Sequence, residues 1–230
     1  MTTVELLDPI VEEPMSKNYS DSHDRFVKDT KNHHMTTLRD DGLYRHLMFR
    51  DPESGFYWYE IVTFPGTLVI NGDMGSFTFS RLEDMFVFFA SGTDINPHYW
   101  GEKIQGNTPF KEFSADVFTR LVTEAYTDVK DEFSKDMQAE FWWNIERDIL
   151  AYADYEFEAR NALADFRFAS VEFADTWEWD FTEYTRSFLW NLHAIRHAIA
   201  TFDTRKGQTR VSQTSVAKTS DTHIIDKVIA

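Results

Sequence analysis

The apolar residues of this 230-residue chain change their spacing near residue 80. Before it they alternate. In Leu43-Tyr44-Arg45-His46-Leu47-Met48-Phe49, Leu43, Leu47 and Phe49 share one side with Arg45, the period of a half-buried strand. After it they recur every fourth residue, as in Phe113, Val117, Leu121, Ala125 and Val129, the stripe of an amphipathic helix. This order predicts an α+β fold: an antiparallel sheet of three to five strands over about 35–80, packed against a helical half over about 81–203.

Local signals refine the elements. Asp21–His34 reads as a short polar helix, and Phe56–Phe64 as a strand ended by Pro65-Gly66. Asn71-Gly72-Asp73-Met74-Gly75 separates Leu68-Val69-Ile70 from Phe77-Thr78-Phe79, a hairpin signal because Asn and Gly tolerate positive φ. Ser80-x-x-Glu83 has the form of a capping box before a helix with Met85, Phe86, Phe88 and Phe89, stopped near Gly92. Ile95–Ile104 is a short helical or turn segment. Met137, Phe141, Ile145, Ile149 and Tyr152 mark one further helix, and Tyr155, Ala159, Leu163 and Phe166 another. Val171–Trp179 breaks that pattern, and Asp180-x-x-Glu183 would cap a last helix with Phe181, Tyr184, Phe188, Leu192, Ile195, Ile199 and Phe202 on one side. The expected organisation is an acidic arm at 1–24, with Pro9 and Pro14, a single domain at 25–203 and a flexible Ser/Thr/Lys tail at 204–230.

Several classes of function are excluded. Zero cysteines remove disulfides, iron–sulfur clusters, thiol catalysis and Cys-type zinc sites. No apolar run reaches the roughly 18 residues of a membrane span, and the acidic N-terminus is unlike a signal peptide. Neither a phosphate-binding glycine loop nor a G-x-S-x-G elbow occurs, so no catalytic residue is assigned and no cofactor is expected.

Charge is unevenly placed. The chain has 39 acidic and 23 basic residues, and 131–185 alone carries 15 acids against four bases. Such a field repels nucleic-acid phosphate and attracts a basic surface. The bland account is a solvated face that aids solubility.

The chemistry-bearing residue types give no convergent site by spacing alone. His193 and His197 lie four apart on the last helix, in a stripe with Arg186 and Trp190, but a divalent metal needs a third ligand that spacing does not supply. A covered interface suits that stripe better, and no metal is expected. Asp136/Glu140, Asp154/Glu158 and Glu172/Asp175 are dense carboxylate pairs, not a cleft. The aromatics say more. Tyr57-Trp58-Tyr59 and Trp142-Trp143 are consecutive, and neighbouring side chains cannot all face one core. Some of these rings must lie on a second face, covered by another element or by a partner.

Three strings, Gly42-Leu43-Tyr44-Arg45-His46-Leu47, Gly72-Asp73-Met74-Gly75-Ser76-Phe77-Thr78-Phe79-Ser80-Arg81 with Glu83-Asp84-Met85-Phe86, and Ile95-Asn96-Pro97-His98-Tyr99-Trp100-Gly101-Glu102-Lys103, resemble an uncharacterised family of tailed-bacteriophage accessory proteins. Asp175-Thr176-Trp177-Glu178 and Phe188-Leu189-Trp190 are similar to it too, so the resemblance covers about 25–203. It implies manufacture in the cytoplasm of an infected bacterium and carries no catalytic residue. The expected function is binding and inhibition or redirection of a host protein with a basic surface, such as a CRISPR or restriction nuclease. Asp136, Glu140, Glu146, Asp148, Asp154, Glu156 and Glu158 would form a phosphate-mimicking face anchored by Trp142 and Trp143. Direct nucleic-acid or membrane binding is not expected, and a second copy of the chain is the other partner considered. The alternative is a small-molecule or nucleotide binder, or an enzyme, with a pocket between sheet and first helices at Tyr44, Arg45, Asp73, Arg81, Asp84, Asn96 and Trp100.

Overall fold

The computed structural model describes residues 2–4, 19–92 and 94–225, with 2–4 and 208–225 as backbone. In chain order the elements are β1 (Thr2–Val4), α1 (Ser20–Thr30), β2 (His34–Asp41), β3 (Tyr44–Arg50), β4 (Tyr59–Phe64), β5 (Thr67–Gly72), β6 (Gly75–Ser80), α2 (Met85–Ala90) and α3 (Pro97–Gly101). They continue with β7 (Lys111–Phe113), α4 (Ala115–Val129), α5 (Lys135–Asp148), α6 (Glu156–Asp165), β8 (Arg167–Phe168), β9 (Val171–Phe173), β10 (Thr182–Tyr184) and α7 (Arg186–Ile225). The fold is α+β, an antiparallel sheet followed by helices. Two compact units make it up: the described residues of Met1–Lys17 with Lys111–Thr185, and those of Asn18–Phe110 with Arg186–Ala230. The single domain expected over 25–203 did not anticipate this division.

The sheet unit is a five-stranded antiparallel meander, β2-β3-β4-β5-β6. Alternation along each strand turns one set of side chains inward. Leu47, Ile61, Ile70 and Phe77 pair in register across four strands and are all buried. Asp73-Met74 joins β5 to β6, with Gly75 at φ 91°. Gly72 is required for a different reason: a Cβ there would lie 2.2 Å from the Trp58 carbonyl oxygen. Helix α7 packs on the inner face, with Phe188 on Phe77 and Trp190 on Tyr59, and Asn191 Nδ2 donates to Met74 O at 2.8 Å, tying the hairpin turn to the helix. Because α1 and α2 also pack on α7, it is buried almost all round between 188 and 199.

The other unit is built from α4, α5 and α6, the β7/β10 ladder and the small sheet β1-β9-β8. Its core holds Phe118, Val122, Ala125, Phe141, Ile145, Ile149, Ala159, Leu163 and Phe181. Ser114 and Ser134 cap α4 and α5 by accepting from Val117 N and Met137 N.

Several expectations need correction. Ser80 is the last residue of β6 and its hydroxyl donates to Gly66 O, while Asp84 caps α2 through Phe86 N. Asp180 accepts from Thr182 N, and Glu183 lies in β10, so the last helix starts at Arg186. The buried stripe of α4 runs through Phe118 and Val122, one residue beyond Val117 and Leu121. The acidic arm falls mainly on residues 5–18, outside the described residues; Ser20–Asp24 open α1. The backbone of α7 continues helically to Ile225, through most of the stretch read as a flexible tail.

Candidate protein-binding surface

Charge divides with the units. Residues 111–185 hold 19 acidic and seven basic side chains, a net −12 of the chain's −16, whereas 18–110 and 186–230 hold 16 and 15. The surface to be explained is that of the helical unit.

Helix α5 turns Phe141 and Ile145 inward, which leaves Asp136, Glu140, Trp143 and Arg147 along the opposite side at helical spacing. Trp143 is 55% exposed and carries the Arg147 guanidinium 4.3 Å above its ring. Arg147 also hydrogen-bonds Asp148 and holds that carboxyl below its usual range. Asp136, Glu140 and Glu146 are exposed with no ion pair among the described residues. Trp142 does not belong to this face. One residue back, it is rotated by about 100°, is half-buried, and packs on Tyr126 with ring centres 5.0 Å apart. It is rim of the core, not an anchor.

The stretch after α5 is more open. Tyr155 is 65% exposed and Phe157 74%, interleaved with the exposed carboxylates of Asp154, Glu156 and Glu158. Ala159 and Leu163 supply the buried face of α6. Tyr155, expected to continue that stripe, is instead the extended N-cap. Glu156 pairs with Arg160 at 2.9 Å; Asp154 and Glu158 have no ion pair among the described residues. Trp177, 76% exposed, stands on a 3-10 turn over Thr176–Glu178, next to Asp175 at φ 49°. The reading of the sequence missed Tyr155, Phe157 and Trp177 as surface groups. The signal was present in Tyr155-Glu156-Phe157-Glu158, where Asn161, not an apolar residue, follows Phe157 by four.

Among the residues of the alternative pocket, one pair is joined. Arg45 and Asp84 do meet, in a bidentate pair at 2.8 and 2.9 Å that lowers the Asp84 carboxyl's pKa, with Arg45 over the Phe86 ring. The other members go to separate duties. Tyr44 is exposed beneath Arg39, Asp73 sits in the hairpin turn, and Arg81 is exposed. Asn96 caps α3 through Tyr99 N, and Trp100 is buried against Phe89.

In the histidine stripe Arg186 is exposed, while Trp190, His193 and His197 are packed against the chain's own α1. Phe26 packs edge-on against Trp190 and His197, and Ser22 hydrogen-bonds His193 Nε2 at 2.9 Å. No group of three or more metal-ligating side chains exists among the described residues, and no helix among them is long and apolar enough to cross a membrane.

Compared with protein families, characterised proteins and solved structures, the chain matches none. What the helical unit can do therefore follows from its surface chemistry. Rings surrounded by carboxylates suit guanidinium and ammonium groups, which gain from both the ring faces and the charges. Trp143 and Arg147 already display that contact within the chain.

Proposed function

We propose that the 111–185 unit is a docking module for a basic protein surface. The observation that carries the reading is the interleaving of exposed Tyr155 and Phe157 with Asp154, Glu156 and Glu158 in a stretch, 111–185, of net charge −12. Solubility accounts for carboxylates at a surface but not for bare rings among them. Each ring, once covered, contributes on the order of 2–4 kcal/mol of gross burial energy. The carboxylates steer a basic partner and hold off nucleic acid. The partner class that fits is a nucleic-acid-binding protein whose groove takes this face in place of phosphates. A bacterial defence nuclease of CRISPR or restriction type, met in the cytoplasm of an infected host, is the member proposed here.

The test is competition. Such nucleases are loaded with labelled DNA at low salt and titrated with the chain and with a Tyr155→Ser/Phe157→Ser variant. The expected result is displacement by the chain, weakened by added salt and lost in the variant. Failure to displace DNA from any of them, or equal displacement by the variant, refutes the reading.

A further inference from the structure

Away from the acidic face, the sheet unit has a cleft of its own. Between the last turn of α1 and the loop that leads into β4 is an open cleft of about 490 Å³, within the range of small-molecule sites. Lys28 and Lys31 stand on its helical side, with Phe56 and Tyr57 on its loop side.

The carboxylates and the imidazole of this cleft are partly engaged, with Asp29 Oδ2 and His33 Nδ1 buried and without a hydrogen bond among the described residues. Asp29 lies between Arg25, at 3.5 Å, and Arg186, at 3.9 Å. Asp51 accepts from Glu53 N and from Asn32 Nδ2, closing the loop on itself. His33 Nε2 meets Tyr57 O at 3.0 Å; a carbonyl only accepts, so the ring proton is on Nε2 and committed. Lys28 and Lys31 are exposed and make no ion pair among the described residues, in a chain of net charge −16. The two ammonium groups are therefore the cleft's exposed cations, with the Asp51 carboxylate, held only by neutral donors, keeping its own charge on the loop side.

Its loop wall is aromatic and strained. Phe56 is 75% exposed, an uncovered ring beside the two ammonium groups. Tyr57 is held at φ 60°, unusual for a residue with a Cβ. The His33 bond to its carbonyl and the stacking of its ring near Trp190 keep it there. Strain of this kind persists where the surroundings over-determine the backbone, and it gathers at ligand sites.

We infer that this cleft binds a planar aromatic anion of nucleotide size, its ring on Phe56 and its phosphate or carboxylate on Lys28 and Lys31. The ring supplies stacking and the two lysines supply charge-assisted hydrogen bonds.

The probes are AMP, UMP and phenyl phosphate, with adenosine and inorganic phosphate as the two separated halves. They are titrated into the full chain by calorimetry and by amide NMR. At least one aromatic phosphate should bind, with shifts gathered at residues 28–33 and 51–57, and both halves should bind at least about tenfold more weakly. Lys28→Ala/Lys31→Ala and Phe56→Ala should each weaken binding by about tenfold or more, the scale of a lost contact to a charged group. Arg81→Ala, an exposed cation elsewhere in the unit, should change nothing. Absence of binding by all three aromatic phosphates overturns the site. So does phosphate or adenosine alone binding as well as the whole, or shifts centred elsewhere. The NMR map uses the unaltered chain, so it decides even where a variant folds poorly.

Discussion

Tyr59 Oη lies 2.8 Å from His197 Nδ1, joining the middle strand of the sheet to the buried side of α7. Tyr59 is fully buried, and its phenol is pushed well above its usual pKa by that burial. It therefore stays neutral. Removing the hydroxyl leaves the part-buried His197 Nδ1 without this hydrogen bond. Tyr59→Phe should cost about 1–3 kcal/mol, read as a lower denaturant midpoint with unchanged slope.

Acid should loosen the same layer. Burial, then the nearby His23, lowers the His193 pKa to about 4, and burial also lowers that of His197. Below pH 6.5 the unfolded chain takes up protons that these folded histidines refuse, so stability is present above that pH and is lost as pH falls towards 4. For His193 alone the loss is at most about 3 kcal/mol, at 1.36 kcal/mol per pH unit, less whatever solvent screens. His193→Gln should flatten the fall in stability between pH 6.5 and 4. An unchanged slope would show that the imidazole is not responsible.

The start of α2 depends on Asp84 and not on Ser80. Asp84→Ala removes both the cap and the partner of the part-buried Arg45, and should cost about 2–4 kcal/mol. Ser80→Ala loses one bond to Gly66 O and should cost about 1 kcal/mol. Reversal of that order in urea melts would mean that the cap lies elsewhere.

Gly72→Ala should be far worse than its small volume suggests. The new methyl must displace the Trp58 carbonyl from 2.2 Å, and the crowding atoms are backbone. Loss exceeding about 3 kcal/mol, or no soluble folded chain, is expected. Gly75→Ala, open to solvent but at positive φ, should cost about 1 kcal/mol.

Charge removal separates mimicry from solubility. Neutralising Asp136, Glu140, Glu146, Asp154 and Glu158 removes exposed carboxylates that make no ion pair among the described residues. Stability should hold or rise as self-repulsion falls. Association with a basic partner should slow and lose salt dependence, since steering acts on the on-rate. Neutralising Asp148 and Glu156, which are held by Arg147 and Arg160, should instead lower stability slightly, as the loss of a solvent-screened ion pair does. Effects of the two sets on association in proportion to the charges they remove, five against two, would show that only total charge counts.

The sequence by itself determined what neighbours along the chain decide. Alternation from Leu43 to Phe79, the Gly72–Gly75 turn, the four-residue stripes and the acidic block at 131–185 depend on periods of two and 3.6 and on composition. The division into sheet then helices was legible for that reason. Tertiary structure alone decided which faces are covered. Ser80-x-x-Glu83 fits a capping box, but the serine hydroxyl found Gly66 O across the fold. Trp142 and Trp143 are adjacent and alike, yet the rotation of one helical step put one on the core's rim and the other in solvent. His193 and His197 owe their burial to α1, some 170 residues away in the chain. The cleft at Lys28 and Phe56 exists only because a helix end meets a loop beyond two strands. In each case the local pattern allows several partners, and the free energy of burial chooses among them only when distant elements come together.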